Sequence, residues 1–196
     1  MEIENESDII NRILAGDTNL FSRIIDCYGA SVFRLIKQII PSVEDSEEIV
    51  QDVFLKIFQK LNSFKGDSRF STWLYRVAYN TAISATRKKK HEVTFFDDSE
   101  IINIPDETVY IFFENNVDDA LIGKLQQSID CLDAGEKVLI TLYYLEDRPV
   151  NEIASIMGIS PPNVKIRLFR TRKKLYLQLN EEARGKIQEP RTKIRD

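Results

Sequence analysis

Apolar residues recur at helical spacing along most of the chain, and this pattern limits the possible folds more than any other feature. Between residues 18 and 40, a single helical face would carry the following apolar side chains: Phe21, Ile24, Ile25, Tyr28, Val32, Leu35, Ile36 and Ile39. Pro41 ends that predicted helix, because proline lacks the backbone N–H that continues the ladder. No segment alternates convincingly as a strand does. The pattern therefore predicts an all-α protein.

Further helices follow from the same spacing and from capping residues. We predict helices at about residues 8–16, 42–61, 119–132 and 134–145, and one more that Ser71 or Thr72 caps and that ends in the basic run at 87–90. Acidic residues between 44 and 47 favour a helix start there, since the helix dipole is positive at its N-terminus. Asp133 is expected to cap the helix at 134–145.

The composition is that of an ordinary soluble globular protein, with 43% apolar and 30% charged residues among 196. No apolar run approaches the roughly 18 residues that a membrane span needs, and the start of the chain is acidic. We therefore expect a cytoplasmic protein that does not insert into membranes. Cys27, Cys131 and the lone His91 are far apart, so no metal site, disulfide framework or cofactor is expected.

The net charge of −4 hides a strong segregation of charge along the chain. From residue 65 to 92, seven cations face two acids, which leaves +5. From 93 to 119, eight acids stand without a basic residue, and from 161 to 196 eleven cations face four acids, which leaves +7. Two basic blocks separated by an acidic bridge indicate two DNA-facing modules joined by a segment that avoids DNA.

The acidic segment at 93–118 lacks a stable period and is predicted to be a flexible linker. It separates two small helical domains, at 1–92 and at 119–196, the second with a basic C-terminal tail. The linker also carries several apolar residues: Phe95, Phe96, Ile101, Ile102, Ile104, Tyr110, Phe112 and Phe113. Such residues need a surface to cover them, either on the two helical domains or on a partner protein.

A basic-aromatic segment at 64–76 interleaves rings with cations around a glycine. Aromatic faces stack on bases for about 1–3 kcal/mol each, and cations between them neutralise phosphates, so the segment suits single-stranded nucleic acid. In the competing interpretation, Trp73, Leu74 and Val77 are the core face of the following helix. Phe64 and Phe70 flank a polar turn, where a buried ring is less expected.

Residues 149–167 have the spacing of a helix-turn-helix. Gly158 permits the positive φ of the tight turn, Ser160 is expected to cap the second helix, and Pro161 suits its first position. Val164 and Leu168 would face the core. The opposite side would present the following residues to DNA, with two arginines at its flanks: Lys165, Ile166, Phe169, Arg170 and Lys173, with Arg167 and Arg172.

Three segments together resemble the sigma-70 family, and specifically its small two-domain extracytoplasmic-function (ECF) sigma factors. Residues 45–58 are similar to the helix that binds core RNA polymerase, 64–82 to the region that melts and reads the minus-10 element, and 164–175 to the minus-35 recognition helix. The resemblance implies a transcription initiation factor that directs core RNA polymerase to specific promoters. Ile166 stands where the family commonly has a small polar residue.

The resemblance also implies roles for individual residues. Polymerase would be bound by Glu48, Gln51, Asp52 and Phe54. The minus-10 element would be contacted by Phe64, Lys65, Asp67, Ser68, Arg69, Trp73, Arg76 and Asn80, with Asn80 bonding to the edge of a flipped base. The minus-35 element would be contacted by Asn163, Lys165, Ile166, Arg167, Phe169, Arg170, Arg172 and Lys173. An anti-sigma factor is the further partner that the family suggests.

Two other classes of protein compete with this interpretation. A stand-alone helix-turn-helix repressor or activator would account for the second basic block, but it leaves the basic-aromatic segment and the acidic linker without a purpose. An enzyme is disfavoured, because the sequence has no Ser/His/Asp set, no glycine-rich phosphate loop and no metal-ligand cluster.

Overall fold

The structure is a computed structural model that describes residues 6–88 and 119–180. In those two ranges every regular element is helical, which confirms the prediction of an all-α fold. None of the helices described there is long and apolar enough to cross a membrane. The predicted acidic linker at 93–118 and the basic tail from residue 181 onward lie outside the described residues.

The N-terminal module, residues 6–88, is built from four helices. These are α1 at Glu6–Leu14, α2 at Phe21–Lys37, α3 at Val43–Lys60 and α4 at Phe70–Lys88. Short 3₁₀ turns at Thr18–Leu20 and Leu61–Ser63 precede α2 and follow α3. Helices α2, α3 and α4 pack against one another in pairs, so a single core lies between them.

The core of this module follows the helical period of the sequence. Side chains with no exposed surface come from each of the three packed helices: Ile24, Val32, Leu35, Ile36, Val53, Ile57, Leu74, Ala78 and Ala82. Full burial of each of the Val, Leu and Ile side chains stabilises the fold by about 1.5–3 kcal/mol. Ile25, predicted on the same face of α2, is 42% exposed, because it lies at the edge of the buried stripe.

The C-terminal module, residues 119–180, also has four helices. These are α5 at Asp119–Asp130, α6 at Ala134–Ile140, α7 at Val150–Met157 and α8 at Pro161–Leu179. Helices α5, α6 and α7 each pack against the long α8. The predicted helix at 134–145 is α-helical only as far as Ile140, and a π-helical turn at Thr141–Leu145 completes it.

Local capping signals set the helix ends in this module, as the sequence predicts. Asp133 and Glu136 form a reciprocal capping box, with Asp133 Oδ1 accepting from the Glu136 backbone N–H at 2.8 Å. Gly158 ends α7 in the left-handed region with φ +69°. The Ser160 side chain then accepts from the backbone N–H of Asn163, and Pro161 occupies the first turn of α8. The predicted helix-turn-helix geometry is thereby confirmed.

Helix α4 starts earlier than the sequence predicts. It begins at Phe70, so Ser71 and Thr72 lie in its first turn and neither is the residue before it. Both side chains are buried at about 1% exposure. Their hydroxyls bond to Arg148 and Glu152 of the C-terminal module, and this long-range pairing replaces the predicted capping role. Helices α4 and α7 pack directly against each other, so the two modules share an interface.

The turn between α7 and α8 can be tested with a matched pair of glycine substitutions. Gly158→Ala places a Cβ on a left-handed residue and should destabilise the protein by about 1 kcal/mol, although no atom lies within 4 Å of that Cβ. Gly29→Ala in the interior of α2 also meets open space, and it should stabilise by about 0.5–1 kcal/mol through helix propensity. Urea unfolding followed by circular dichroism measures both. Shifts of the same sign would contradict the assigned turn geometry.

Candidate nucleic-acid interface

Three aromatic rings form a compact cluster at the start of α4. The ring centroids of Phe64, Phe70 and Trp73 lie 5.4–5.6 Å from one another. Phe70 is only 1% exposed and its ring also contacts Tyr28, so the expectation that it would be exposed is wrong. The reason is that α4 begins at Phe70 and turns this ring into the core. Phe64 and Trp73 are half-buried, and each keeps part of its surface open to solvent.

A polar turn lies next to this aromatic cluster. Gly66 has φ +77°, which reverses the chain sharply between α3 and α4. The residues around it are exposed: Lys65, Asp67, Ser68 and Arg69. Farther along α4, Arg76 and Asn80 are exposed on the helix face that also carries Trp73. Cations and half-exposed rings therefore share one continuous surface, as binding of an unstacked strand requires.

Helix α8 is oriented as a recognition helix at its N-terminal half. Val164 and Leu168 are buried at 0% and 2% exposure and hold the helix against α7. Asn163, Lys165 and Ile166 are exposed. The remaining predicted contacts are half-buried: Arg167, Phe169, Arg170 and Arg172. The first turns of α8 thus present polar and cationic side chains outward, which is the geometry that reads base edges in a major groove.

The predicted position of Lys173 on this outer face is wrong. Its side chain is 1% exposed, and Nζ lies 3.7 Å from the centroid of the Phe169 ring. A cation over an aromatic face is favourable, and the aliphatic stem can be buried along the helix. Neighbouring Lys174 pairs with Glu136 of α6 at 2.7 Å. From Lys173 onward α8 therefore packs within its own module, and the exposed part of the predicted minus-35 surface ends before Lys173.

The predicted polymerase-binding residues of α3 do not all face solvent. Glu48, Gln51 and Asp52 are exposed on one face, as that role requires. Phe54 is 6% exposed and its ring meets that of Phe21, so it belongs to the core and its prediction as a surface contact is wrong. Leu55 is 56% exposed and lies on the same face as the three polar residues.

The interface between the modules depends on three charged residues of the C-terminal module. Glu146 accepts a hydrogen bond from the Tyr75 hydroxyl at 2.7 Å and pairs with Arg34 at 3.0 Å. Arg148 Nη1 donates to Ser71 Oγ at 2.9 Å, and its guanidinium lies 5.0 Å from the centroid of the Tyr75 ring. Burial raises the pKa of Tyr75 to about 12, so its hydroxyl stays protonated, and able to donate to Glu146, beyond the pH at which an ordinary tyrosine ionises.

The third of these residues, Glu152, bridges the same surface. Its Oε2 accepts from the Thr72 hydroxyl at 2.9 Å and lies 3.5 Å from Arg148 Nη1. Its Oε1 lies 3.6 Å from Nε of Arg69, one of the exposed cations of the polar turn. Sequence analysis did not predict this network, because a buried arginine or glutamate has no distinct local pattern.

The described residues place no group of three or more His, Cys, Asp or Glu side chains where they could hold a metal ion. The surfaces described above carry partly exposed rings, cations and two exposed asparagines, Asn80 and Asn163. Side chains of these types can contact the phosphates and the bases of nucleic acid.

Comparison with protein families gives two matches in one chain. Residues 24–92 match the model of Sigma-70 region 2, and residues 122–175 match that of Sigma-70, region 4. The first range contains the aromatic cluster, the polar turn and the whole of α4. The second range contains the helix-turn-helix and most of α8.

Two curated proteins are similar to this chain over most of its length. The ECF RNA polymerase sigma factor SigW of Bacillus subtilis is 31% identical over 180 residues, covering 88% of this chain and 95% of that protein. The ECF RNA polymerase sigma-E factor of Escherichia coli K12 is 31% identical over 170 residues, covering 84% of this chain and 88% of that protein.

Two solved structures share the fold. CnrH, solved in complex with the cytosolic domain of CnrY, superposes with a TM-score of 0.63 at 20% identity, covering 91% of this chain and 99% of CnrH. The sigma factor RpoE from Bartonella quintana, solved with the anti-sigma factor NepR, gives 0.59 at 18% identity, covering 81% and 96%. At these identities the likeness concerns the fold alone.

Proposed function

This chain belongs to the ECF group of the sigma-70 family and is a promoter-specific transcription initiation factor, and we propose how its residues divide that work. The N-terminal module binds core RNA polymerase and opens the minus-10 element. The C-terminal module reads the minus-35 element. The single observation that supports this division is that two exposed nucleic-acid surfaces of different chemistry occur in one chain, one aromatic and basic, the other a helix-turn-helix.

The minus-10 surface consists of the polar turn and the outer face of α4. Lys65, Arg69 and Arg76 neutralise phosphates of the non-template strand, while Phe64 and Trp73 offer ring surface to its bases. The same surface includes Asp67, Ser68 and Asn80. Asn80 can donate and accept, so it can bond to the edge of a flipped base. Extracting a base from the duplex costs a few kcal/mol of free energy. One stacking contact and one hydrogen bond to the flipped base together stabilise it by about the same amount.

The minus-35 surface is the part of α8 from Asn163 to Arg172. Lys165 and Asn163 are exposed and reach base edges, and Ile166 supplies an apolar contact of the kind that a thymine methyl accepts. Arg167, Arg170 and Arg172 hold flanking phosphates, with Phe169 beside them. Lys173 is excluded from the surface because it is buried.

Core polymerase binds the exposed face of α3. Glu48, Gln51 and Asp52 contribute polar contacts, and Leu55 replaces the buried Phe54 as the apolar anchor. Anchor residues of an interface need to be exposed before binding and buried after it, and Leu55 meets that requirement with 56% exposure.

Once polymerase holds the chain, binding of one module to its promoter element raises the effective concentration of the other module at the second element. Two weak DNA contacts can therefore select a promoter together, and neither module needs high affinity alone. The factor itself makes and breaks no covalent bond, and it acts in the cytoplasm, where its DNA is. An anti-sigma factor is the expected inhibitor, since one solved protein with this fold was captured with such a partner.

The proposed function is tested by transcription in vitro. The purified chain should direct bacterial core RNA polymerase to discrete starts on a randomised promoter library. Lys165→Ala combined with Arg170→Ala should remove most dependence on the minus-35 sequence, because a base-reading contact worth about 1–3 kcal/mol is lost together with a phosphate contact that holds α8 in register. Polymerase affinity should stay unchanged.

Arg12→Ala combined with Arg23→Ala removes the same charge from the exposed surface of the N-terminal module and serves as the control. Equal loss of minus-35 dependence in the control would contradict the role of α8. Tight duplex binding without any polymerase-dependent transcript would favour a stand-alone repressor.

The polymerase surface is tested by substituting two neighbouring residues, of which Leu55 is exposed and Phe54 is buried. Leu55→Ala should weaken polymerase binding about tenfold and leave folding stability nearly unchanged, because Leu55 is exposed. Phe54→Ala should cost about 3 kcal/mol of folding stability, because it empties part of the core. Competition binding to core polymerase and urea unfolding separate these effects. Unchanged polymerase affinity in Leu55→Ala would remove Leu55 from the surface.

Strand opening is tested at Asn80. Asn80→Ala should slow opening of the minus-10 region by about tenfold, since a hydrogen bond worth about 1–1.5 kcal/mol to the flipped base is lost. Permanganate reactivity of unpaired thymines follows the opening in time. Ser84→Ala, on an exposed residue one turn later in α4, is the matched control. An opening rate equal to that of the control would reject the base-reading role of Asn80.

A further inference from the structure

Ile166 is the side chain of α8 that points most directly away from the core of its module. Val164 and Leu168 are buried against that core, and Ile166 lies two residues from each of them. Because successive residues of an α-helix are turned by about 100°, Ile166 lies on the side of α8 opposite the midpoint between these two residues. It is 48% exposed. When the outer face of α8 enters a major groove, Ile166 is therefore directed at the floor of that groove.

The apolar surface around Ile166 is small. Asn163 lies one turn before it and Arg170 one turn after it. Pro162 also lies one turn before it, and Phe169, one turn after it, is half-buried. The core of a protein interface is depleted in charge and rich in aromatic and other large apolar residues. This face instead offers a single large, exposed aliphatic side chain among polar and cationic ones, so it is poorly suited to an apolar protein partner.

The floor of the major groove offers one apolar group, the C5-methyl group of thymine. The other groups on the base edges there are hydrogen-bond donors and acceptors, with which an aliphatic side chain cannot pair. A cytosine opposite Ile166 would lose water from its N4 amino group without gaining an acceptor, which costs free energy. Contact with a methyl group is favourable for the same side chain. Ile166 therefore favours a methylated pyrimidine and disfavours an unmethylated one.

We propose that Ile166 is a specificity-determining residue, which selects a pyrimidine that carries a methyl group at C5 in the minus-35 element. The inference rests on the proposed function and deepens it, because Ile166 meets this methyl group only when α8 lies in the major groove. Thymine is the ordinary base of this kind, so the element contains a required thymine. 5-Methylcytosine presents the same methyl group at the same place, so methylation of a cytosine at that position strengthens binding.

The position of the required thymine is related to the base that Asn163 contacts. Asparagine suits adenine, because it can contact N6 and N7 together. Three residues advance about 4.5 Å along a helix, and one base-pair step of B-form DNA advances about 3.4 Å. The thymine selected by Ile166 therefore lies in the same base pair as the adenine contacted by Asn163, or in the next one.

The test uses the full chain bound to core RNA polymerase and a promoter enriched from a library randomised at both elements. Each thymine of the minus-35 element is replaced in turn by deoxyuridine, which pairs in the same way and lacks only the C5-methyl group. At one position the replacement should weaken binding about fourfold, as expected for the loss of one buried methyl group. Electrophoretic mobility shifts at equilibrium measure the affinities.

Ile166→Ala should bind the thymine and deoxyuridine promoters equally, because its side chain is too short to reach the methyl group. Alanine forms helices better than isoleucine does, so α8 should keep its fold. Leu145→Ala is the matched control, because it removes an aliphatic side chain that is 59% exposed in the same module but outside α8. The control should keep the fourfold difference. A fourfold difference that persists in Ile166→Ala, or a wild-type chain without any sensitive thymine, would overturn the inference.

A second pair of probes separates the methyl group from the rest of the base. Cytosine and 5-methylcytosine, each paired with guanine, are placed at the sensitive position. The wild-type holoenzyme should bind the methylated promoter about threefold more tightly, and Ile166→Ala should bind both promoters equally. Equal binding of both promoters by the wild-type holoenzyme would also reject methyl recognition.

Failure of this inference can be distinguished from failure of the proposed function. Duplexes enriched by the chain without polymerase are probed with the same base replacements. If methyl sensitivity appears there and is lost in Ile166→Ala, while the chain directs no polymerase-dependent transcript, methyl recognition is supported and the proposed function is rejected. If transcription depends on the minus-35 element but on none of its methyl groups, the proposed function is supported and the role of Ile166 is rejected.

Discussion

One helix, α4, takes part in three different surfaces, and the rest of the structure is arranged around it. Leu74 and Ala78 fill the N-terminal core. A second face carries Ser71, Thr72 and Tyr75 to the C-terminal module. The third face leaves Arg76 and Asn80 in solvent. Since 3.6 residues per turn fix these faces relative to one another, the position of the core determines where DNA and the second module can meet α4.

The second face of α4 makes its contact through polar and charged groups. Arg148 and Glu146 are buried against hydroxyl groups and a tyrosine ring, so the contact depends on specific geometry. Replacing a buried ion pair by apolar residues often strengthens an interface, whereas removing one partner leaves the other charge uncompensated. The interface is therefore sensitive to the loss of any one of these partners.

The sequence predicted the features that depend on local chemistry. The cap at Ser160, the left-handed Gly158, the capping box at Asp133 and the helical core stripes all follow from residues within one or two turns. The errors concern distant contacts. Phe54 and Phe70 contact rings of α2, which lies more than 30 residues earlier, so nothing local indicates that they are buried. Lys173 is a different case, because its Nζ lies over the Phe169 ring of its own helix. Arg148 could not be foreseen, because its partner Ser71 lies 77 residues earlier.

Arg69 ties the contact between the modules to the proposed minus-10 surface. Its Nε lies 3.6 Å from the Glu152 carboxylate, and the proposed surface uses the same guanidinium for a phosphate. A carboxylate and a phosphate accept the same charge-assisted hydrogen bonds, so a change that strengthens the pair with Glu152 acts against the phosphate contact. Because 63% of the Arg69 side chain is exposed, solvent screens its attraction to Glu152, and the pair adds little to the stability of the interface. The guanidinium is therefore held weakly enough for a phosphate to compete for it.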